Sequence, residues 1–134
     1  MITAFIFGFL FFIFLDSLWI YTFAKNLYLL NAFEILRMDA LQQHLEVNPA
    51  PAFLFYVIYF PVLFYLAVLS DVNVKEATTR GGLVGLASYG TYALTNHAIM
   101  KQWSWALTIA DISWGIFLSG SVAFLVKKLL ESRQ

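Results

Sequence analysis

The sequence contains no cysteine and little charge, since only 12% of its 134 residues are Asp, Glu, Lys or Arg. Without cysteine the chain has no disulfide, no thiolate metal site and no cysteine nucleophile. Soluble domains average about 25% charged residues, so the surface of this chain is not built mainly for water. The formal net charge is zero, which leaves no basic face for nucleic acid. We therefore exclude nucleic acid as a partner.

What the sequence has is apolar bulk: 61% hydrophobic residues, 14 Phe and a mean hydropathy of +0.76. A chain this short cannot bury so much apolar surface in its own interior. A membrane span needs roughly 20 mostly apolar residues, and continuous runs of that kind favour helices over barrel strands. The sequence predicts an all-α integral membrane protein, a single domain over residues 1–134 with four transmembrane helices in an antiparallel bundle. The spans are residues 2–23, 50–69, 81–100 and 103–126.

The topology follows from the segments between the spans. The N-terminal run has no basic start and no small-residue cleavage site, so we interpret it as a retained span and not as a signal peptide. We call the N-terminal side of the membrane side A and the opposite side B. Side A collects five basic residues and side B three, which favours cytoplasmic termini. Those of side A are Lys75, Arg80, Lys127, Lys128 and Arg133, and those of side B are Lys25, Arg37 and Lys101.

The first connector is long and does not resemble a simple loop. Asn31 and Glu34 have the spacing of a capping box, and Asn48-Pro49 would end a helix. We predict a short amphipathic interfacial helix between helices 1 and 2, or alternatively an ordinary connector helix without a functional role. Its apolar face would consist of Phe33, Leu36, Leu41 and Leu45. Pro61 is predicted to kink the second span.

Asp16 and Asp111 are the only charged side chains inside the predicted spans. An ionisable residue at such depth is costly and indicates a functional site. With a rise of about 1.5 Å per residue, each aspartate lies roughly 5 Å from the midplane toward side B. The two carboxylates of antiparallel helices are therefore predicted at one level, where they could exchange protons or bind a cation. A purely structural role is the alternative, in which each aspartate accepts hydrogen bonds that fix helix register.

Further polar side chains are predicted at the same level and complete a polar layer. Small residues at Gly81, Gly85, Gly115 and Ser119 permit close packing of helices 3 and 4 around this layer. Trp19 and Trp114 are further candidates, because each is the last residue of a four-residue motif that begins with one of the aspartates. The two motifs are Asp-Ser-Leu-Trp and Asp-Ile-Ser-Trp. The remaining candidates are Tyr56, Tyr59, Tyr92, Thr95, Asn96, His97 and Thr108.

Other chemistry has little support in the sequence. There is no phosphate loop, nucleophile elbow or zinc-protease motif, and two separated histidines without cysteine make a poor metal site. We predict no metal and no cofactor. Trp103 and Trp105 are interpreted as interface anchors at the end of a span.

Three functions remain open at this point. The first is binding or transport of a small polar or cationic molecule or a lipid head group, with proton exchange at an aspartate and a homodimer to complete a path. The second is a membrane-embedded enzyme acting on a lipid or isoprenoid, with Asp16 and Asp111 as acid and base. The third is a structural membrane subunit without a ligand. Membrane lipid is the predicted partner in every case.

Several words of the sequence resemble a known family. They are Asp16-Ser-Leu-Trp19, Phe55-Tyr56-x-x-Tyr59, the run from Tyr89 to Asn96, Lys101-Gln-Trp103 and Asp111-Ile-Ser-Trp-Gly115. Together they are similar to the bacterial four-helix membrane proteins of domain-of-unknown-function family 2177, over nearly the whole chain. The resemblance implies a bacterial inner-membrane protein and no established activity. The third-helix pattern of the family has an acid where this chain has Ala93, which leaves Asp16 and Asp111 as the acidic candidates.

Overall fold

The computed structural model describes residues 1–69 and 71–132, and within them the chain forms four long helices and no strand. Helix α1 spans Ile2–Ile35, α2 spans Pro49–Val68, α3 spans Val74–Ile99 and α4 spans Trp105–Glu131. Short turns connect α2 to α3 and α3 to α4, so consecutive helices run in opposite directions. The predicted class, an all-helical membrane protein, is confirmed.

Three of the four helices, α1, α2 and α4, are long and apolar enough to cross a membrane. Helix α3 has 26 residues, which at about 1.5 Å per residue is longer than a hydrocarbon core of about 30 Å. It falls outside the apolar set because Gly, Ser, Thr, Asn and Tyr interrupt its sequence. On composition, therefore, the structure supports three of the four predicted spans.

Helix α1 is longer than predicted. The predicted span ends at Phe23, but a π-helical turn, Ile20–Ala24, leads into a further helical segment, Lys25–Ala32, and a 3-10 turn, Phe33–Ile35. No Gly or Pro lies in this stretch to end the helix. The predicted cap at Asn31 is wrong, because Asn31 is inside the helix and its Nδ2 donates to the carbonyl of Leu27 at 2.8 Å.

The predicted interfacial helix between helices 1 and 2 is also wrong. Residues 36–48 form a small hairpin-like loop, in which Met38 and Leu45 make an isolated antiparallel bridge. The Asp39 carboxylate accepts hydrogen bonds from the backbone N–H groups of Gln43 at 2.7 Å and His44 at 3.2 Å. Such local side-chain bonds compete with a helix. They also hold the pKa of Asp39 below its ordinary value of 3.8.

Asn48 and Pro49, predicted to end a helix, begin one instead. The Asn48 side chain accepts from the backbone N–H of Ala50 at 3.2 Å, and Pro49 takes the first helical position of α2, where its fixed φ fits. Helix α2 then follows the predicted span to within one residue at each end. Pro61 lies inside it, ahead of a π-helical turn, Phe64–Val68.

Helices α3 and α4 form the most extensive helix contact of the bundle. A Cβ at Gly85 would overlap the backbone carbonyl of Gly115, and one at Gly81 would overlap the carbonyl of Ser119. The absence of side chains at these glycines lets the two backbones approach. The predicted packing of the third and fourth helices through small residues is confirmed.

The apolar core fills the side-A half of the bundle. Phe12, Phe60, Leu63, Leu118 and Val126 are almost completely buried there and come from α1, α2 and α4. Edge-to-face ring contacts join Phe5 to Phe60 and Phe64. The side-B half is built differently, and it contains the candidate site.

Candidate functional site

Asp16 is held by donors from two other helices. The hydroxyl of Tyr56 on α2 donates to its Oδ2 at 2.9 Å, and the indole Nε1 of Trp114 on α4 donates to its Oδ1 at 2.9 Å. The side chain is 5% exposed. The indole of Trp114 also stacks on Trp19, with ring centroids 4.7 Å apart and an interplanar angle of 6°. Asp16 therefore joins α1, α2 and α4 at one point.

Asp111 is held by a single donor. The hydroxyl of Tyr28 donates to its Oδ2 at 2.5 Å, and no residue in the described ranges donates to Oδ1. The residue is 6% exposed. Tyr28 was missed by the sequence analysis because it lies in the extension of α1 beyond the predicted end. The signal that could have found it is the absence of a helix stop between Phe23 and Ala32.

Both carboxylates line one cavity of about 730 Å³ on the side-B half of the bundle. Seven of the predicted site residues meet there: Asp16, Trp19, Tyr56, Tyr59, Tyr92, Asp111 and Trp114. Eight aromatic side chains form much of the wall, namely Trp19, Tyr28, Phe55, Tyr56, Tyr59, Tyr89, Tyr92 and Trp114. The cavity thus combines apolar walls with two buried carboxylates.

The cavity lies where the backbone of α2 stands away from α3. The contacts of α2 with α3 and α4 are concentrated in the Phe64–Val68 turn, whereas Pro49–Leu63 packs mainly along α1. The side-B half of α2 therefore stands away from α3. Aromatic rings bridge the gap, since Tyr59 and Tyr89 meet edge to face with centroids 6.0 Å apart. The Tyr59 hydroxyl and Ser119 Oγ, 2.7 Å apart, link α2 to α4 deeper in the bundle.

The first connector and the adjoining helix ends line the outer part of the cavity. Leu36 and Leu45 come from the two arms of the loop that replaces the predicted helix, and Lys25, Pro51 and Ala52 come from α1 and α2. The end of α1, from which the loop begins, is joined to the segment between α3 and α4 by a hydrogen bond from the backbone N–H of Glu34 to Gln102 Oε1, at 3.3 Å. Among the described residues that line the cavity, Lys25 alone is basic.

The other four predicted residues do not line the cavity. Thr108 is buried and belongs to a second polar cluster, where its Oγ1 lies 2.8 Å from His97 Nδ1 and accepts from Trp103 Nε1 at 3.2 Å. Thr95 is exposed, and Asn96 is half-buried on α3.

The interpretation of Trp103 as an interface anchor is wrong. Trp103 is buried, and its ring contacts Tyr28 and Tyr92 edge to face. Trp105, by contrast, is largely exposed on the outer surface, as expected of an anchor.

Neither aspartate of the site is paired with a basic residue of the described chain. No Lys, Arg or His in the described ranges forms an ion pair with Asp16 or Asp111, and the donors they use are neutral hydroxyl and indole groups. The described residues also contain no group of three His, Asp or Glu that could hold a metal ion. The arrangement suits recognition of a polar or cationic group by two carboxylates within an apolar cavity.

Comparison with known proteins identifies the family but no activity. The chain matches no curated protein and no solved structure. The profile of one family, described as predicted membrane protein (DUF2177), matches residues 1–127. Those residues include both aspartates, the tyrosines of the cavity and both stacked tryptophans. The chain therefore belongs to the DUF2177 family of predicted membrane proteins.

Proposed function

We propose that this protein is a membrane-embedded binding protein for an amphipathic molecule. Its polar head would lie against Asp16 and Asp111, and its apolar part against the aromatic wall. The observation that carries the proposal is that both buried carboxylates line the same cavity as eight aromatic side chains. Ligand sites are typically apolar clefts of about 300–1,000 Å³ with a few well-placed polar groups, and a cavity of about 730 Å³ falls within that range.

The geometry of α2 supports entry from the membrane. Because the side-B half of α2 stands away from α3, a molecule dissolved in the bilayer would reach the carboxylates between these helices, past the rings of Tyr59 and Tyr89 that bridge them. Its head need not cross the packed side-A core, where Phe12, Leu63 and Leu118 are fully buried. A ligand that is itself apolar along most of its length matches this route.

Transport is the extension of the proposal that we favour. An aspartate that binds the head in its ionised form and releases it on protonation would couple ligand release to a proton. Four helices are few for a complete path, so the transporting unit would be a homodimer. We place the protein in the bacterial inner membrane with both termini in the cytoplasm. The bias of Lys and Arg toward side A supports that orientation.

Native mass spectrometry of the gently purified protein tests the binding proposal. The informative variants are two adjacent exposed positions of α3 that receive the same large side chain: Ser88→Trp, at a residue that lines the cavity, and Ala87→Trp, at one that does not. We expect a defined co-purifying mass on the wild type and on Ala87→Trp, and its loss from Ser88→Trp. An equal spectrum from all three proteins, with no bound species, would leave the structural role as the better interpretation.

A further inference from the structure

We infer that the head group bound in the cavity is an organic cation, such as an amine or a quaternary ammonium group, and that Asp111 is its counter-ion. The inference rests on the proposed function and names the chemical class of its ligand. It distinguishes the roles of the two aspartates, which the sequence analysis treats as equivalent. Asp16 is the positioning residue, and Asp111 is the residue that contacts the ligand.

The two aspartates differ in the number of side-chain hydrogen bonds that they accept. Each oxygen of Asp16 already accepts from a side chain of another helix, Tyr56 or Trp114, so this carboxylate is occupied in holding three helices together. Asp111 has one such bond, from Tyr28, and its Oδ1 accepts from no described residue. Among the described residues, every fully buried side-chain oxygen has a hydrogen-bond partner. Oδ1 of Asp111 has none, so it is not fully buried, and Asp111 lines the cavity. A donor on the ligand would pair with Oδ1.

The acidic and basic residues that line the cavity indicate the sign of the ligand's charge. Within the described chain neither carboxylate has a basic partner, and a buried carboxylate is stable as an ion when a cation is paired with it. Of the described residues that line the cavity only Lys25 is basic, and it forms no ion pair with Asp111 or Asp16. An anionic head would therefore find no basic partner beside the aspartates, and it would disfavour the ionised form of either carboxylate.

The walls decide between an organic cation and a metal ion. Hard metal cations take six or more oxygen ligands, and the described residues contain no cluster of three acidic or histidine side chains. Aromatic faces instead bind organic cations, which are attracted by the ring quadrupole and carry apolar substituents. Tyr28 donates to Asp111 and lines the cavity together with Tyr92. A carboxylate bordered by aromatic rings is thus a receptor for an ammonium-type head.

Two probe ions of nearly the same shape and opposite charge test the inference. The purified full-length protein, in an uncharged maltoside detergent, is titrated with tetraphenylphosphonium or tetraphenylborate by equilibrium dialysis. We expect saturable binding of the phosphonium and none of the borate. Asp111→Asn should weaken phosphonium binding by about tenfold or more, since it removes one charge of a desolvated pair. Asp111→Glu should restore part of the affinity, and Glu131→Gln, at an exposed carboxylate, should leave it unchanged.

The wild type gives a second readout that does not depend on the folding of a variant. Protonation neutralises Asp111, so phosphonium binding should weaken as the pH falls, although the probe itself carries a fixed charge. Equal binding of both probe ions, pH-independent phosphonium binding, or full affinity in a folded Asp111→Asn would overturn the cationic assignment. If a neutral amphipath is nevertheless lost in Ser88→Trp, the proposed function stands and only the head-group class is wrong. Absence of every bound species would reject both.

Discussion

The indole Nε1 of Trp114 donates a hydrogen bond of 2.9 Å to Oδ1 of Asp16, joining the middle of α4 to the middle of α1. The same carboxylate accepts from Tyr56 of α2 through its other oxygen. Three helices therefore meet at one buried group, on the boundary between the packed core and the cavity.

Trp114→Phe should destabilise the bundle. It keeps an aromatic ring beside Trp19 but leaves Asp16 Oδ1 without its donor, and an unsatisfied buried acceptor costs about 1–3 kcal/mol. Thermal unfolding in detergent, followed by far-UV circular dichroism, measures the change. Trp105→Phe is the matched control, since Trp105 is 64% exposed. Equal melting temperatures for the two variants would show that the Trp114–Asp16 bond adds nothing to stability.

Tyr28→Phe should loosen the extension of α1 from α4. The substitution removes only the hydroxyl that donates to Asp111, and a hydrogen bond to a charged group contributes about 1.5–3 kcal/mol. Hydrogen exchange should become faster in residues 25–35 while the side-A half of α1 keeps its protection. Tyr21→Phe, on the same helix at a residue 80% exposed, should change neither region. Unaltered exchange in Tyr28→Phe would contradict this role of the pair.

Gly85→Ala should disrupt the packing of α3 on α4, because the added Cβ would overlap the backbone of Gly115. Overpacking of this kind costs about 1–3 kcal/mol or more when backbone must move. Gly90→Ala is the control on the same helix. There a Cβ would meet only Leu86 Cδ1, at 3.9 Å, and Ala has the higher helix propensity. The melting temperature should fall for Gly85→Ala and hold or rise for Gly90→Ala.

The first connector should lose its turn in acid. Backbone N–H groups of Gln43 and His44 hold the pKa of Asp39 below 3.8. A lowered folded-state pKa adds stability to the turn above the ordinary value, and that stability is lost as the pH falls through the folded value. The amide resonances of Gln43 and His44 should therefore shift as the pH falls below about the ordinary value of 3.8. Asp39→Asn should weaken the pH response, whereas Asp71→Asn, outside this turn, should preserve it.

The orientation can be measured by cysteine labelling, because the chain contains no native cysteine. We expect Gln43→Cys, in the connector, to react with a membrane-impermeant maleimide on intact bacterial cells. Ser132→Cys should react only after the membrane is opened. The reverse pattern would place the first connector on the cytoplasmic side, and labelling of both positions in intact cells would indicate mixed topology.

Much of the fold was readable from composition and run length. The second span was predicted to within one residue at each end, since Asn48, Pro49 and the apolar run that follows mark its start and length. Depth counting also placed Asp16 and Asp111 at a common level, and both line one cavity. Depth alone does not fix helix rotation, so it could not tell that Trp19 and Trp114 would meet face to face.

The predictions of the end of α1 and of the interfacial helix were wrong, and both errors have physical causes that hydropathy does not reveal. The segment Lys25–Ala32 is polar enough to look like a connector, yet it contains no helix breaker and continues α1 to Tyr28 and beyond. In the loop, leucines at near-helical spacing predicted an amphipathic helix. The outcome was decided by Asp39, whose side chain bonds to nearby backbone groups and closes a turn. The hydrogen bonds of Asp39 to the backbone thus outweighed the weak helical periodicity of the leucines.

The width of the cavity depends on the tilt of α2, which beyond its anchored end is held by the hydrogen bonds of Tyr56 with Asp16 and of Tyr59 with Ser119. The Phe64–Val68 turn anchors this helix to α3 and α4, while its side-B half rests mainly on α1. A small change of tilt about the anchored end would move Phe55 and Tyr56 by several times the displacement at Phe64, because they lie farther from that end. If the protein binds an amphipathic molecule as proposed, ligands of different width would be accommodated by the angle of this one helix, with the side-A core unchanged.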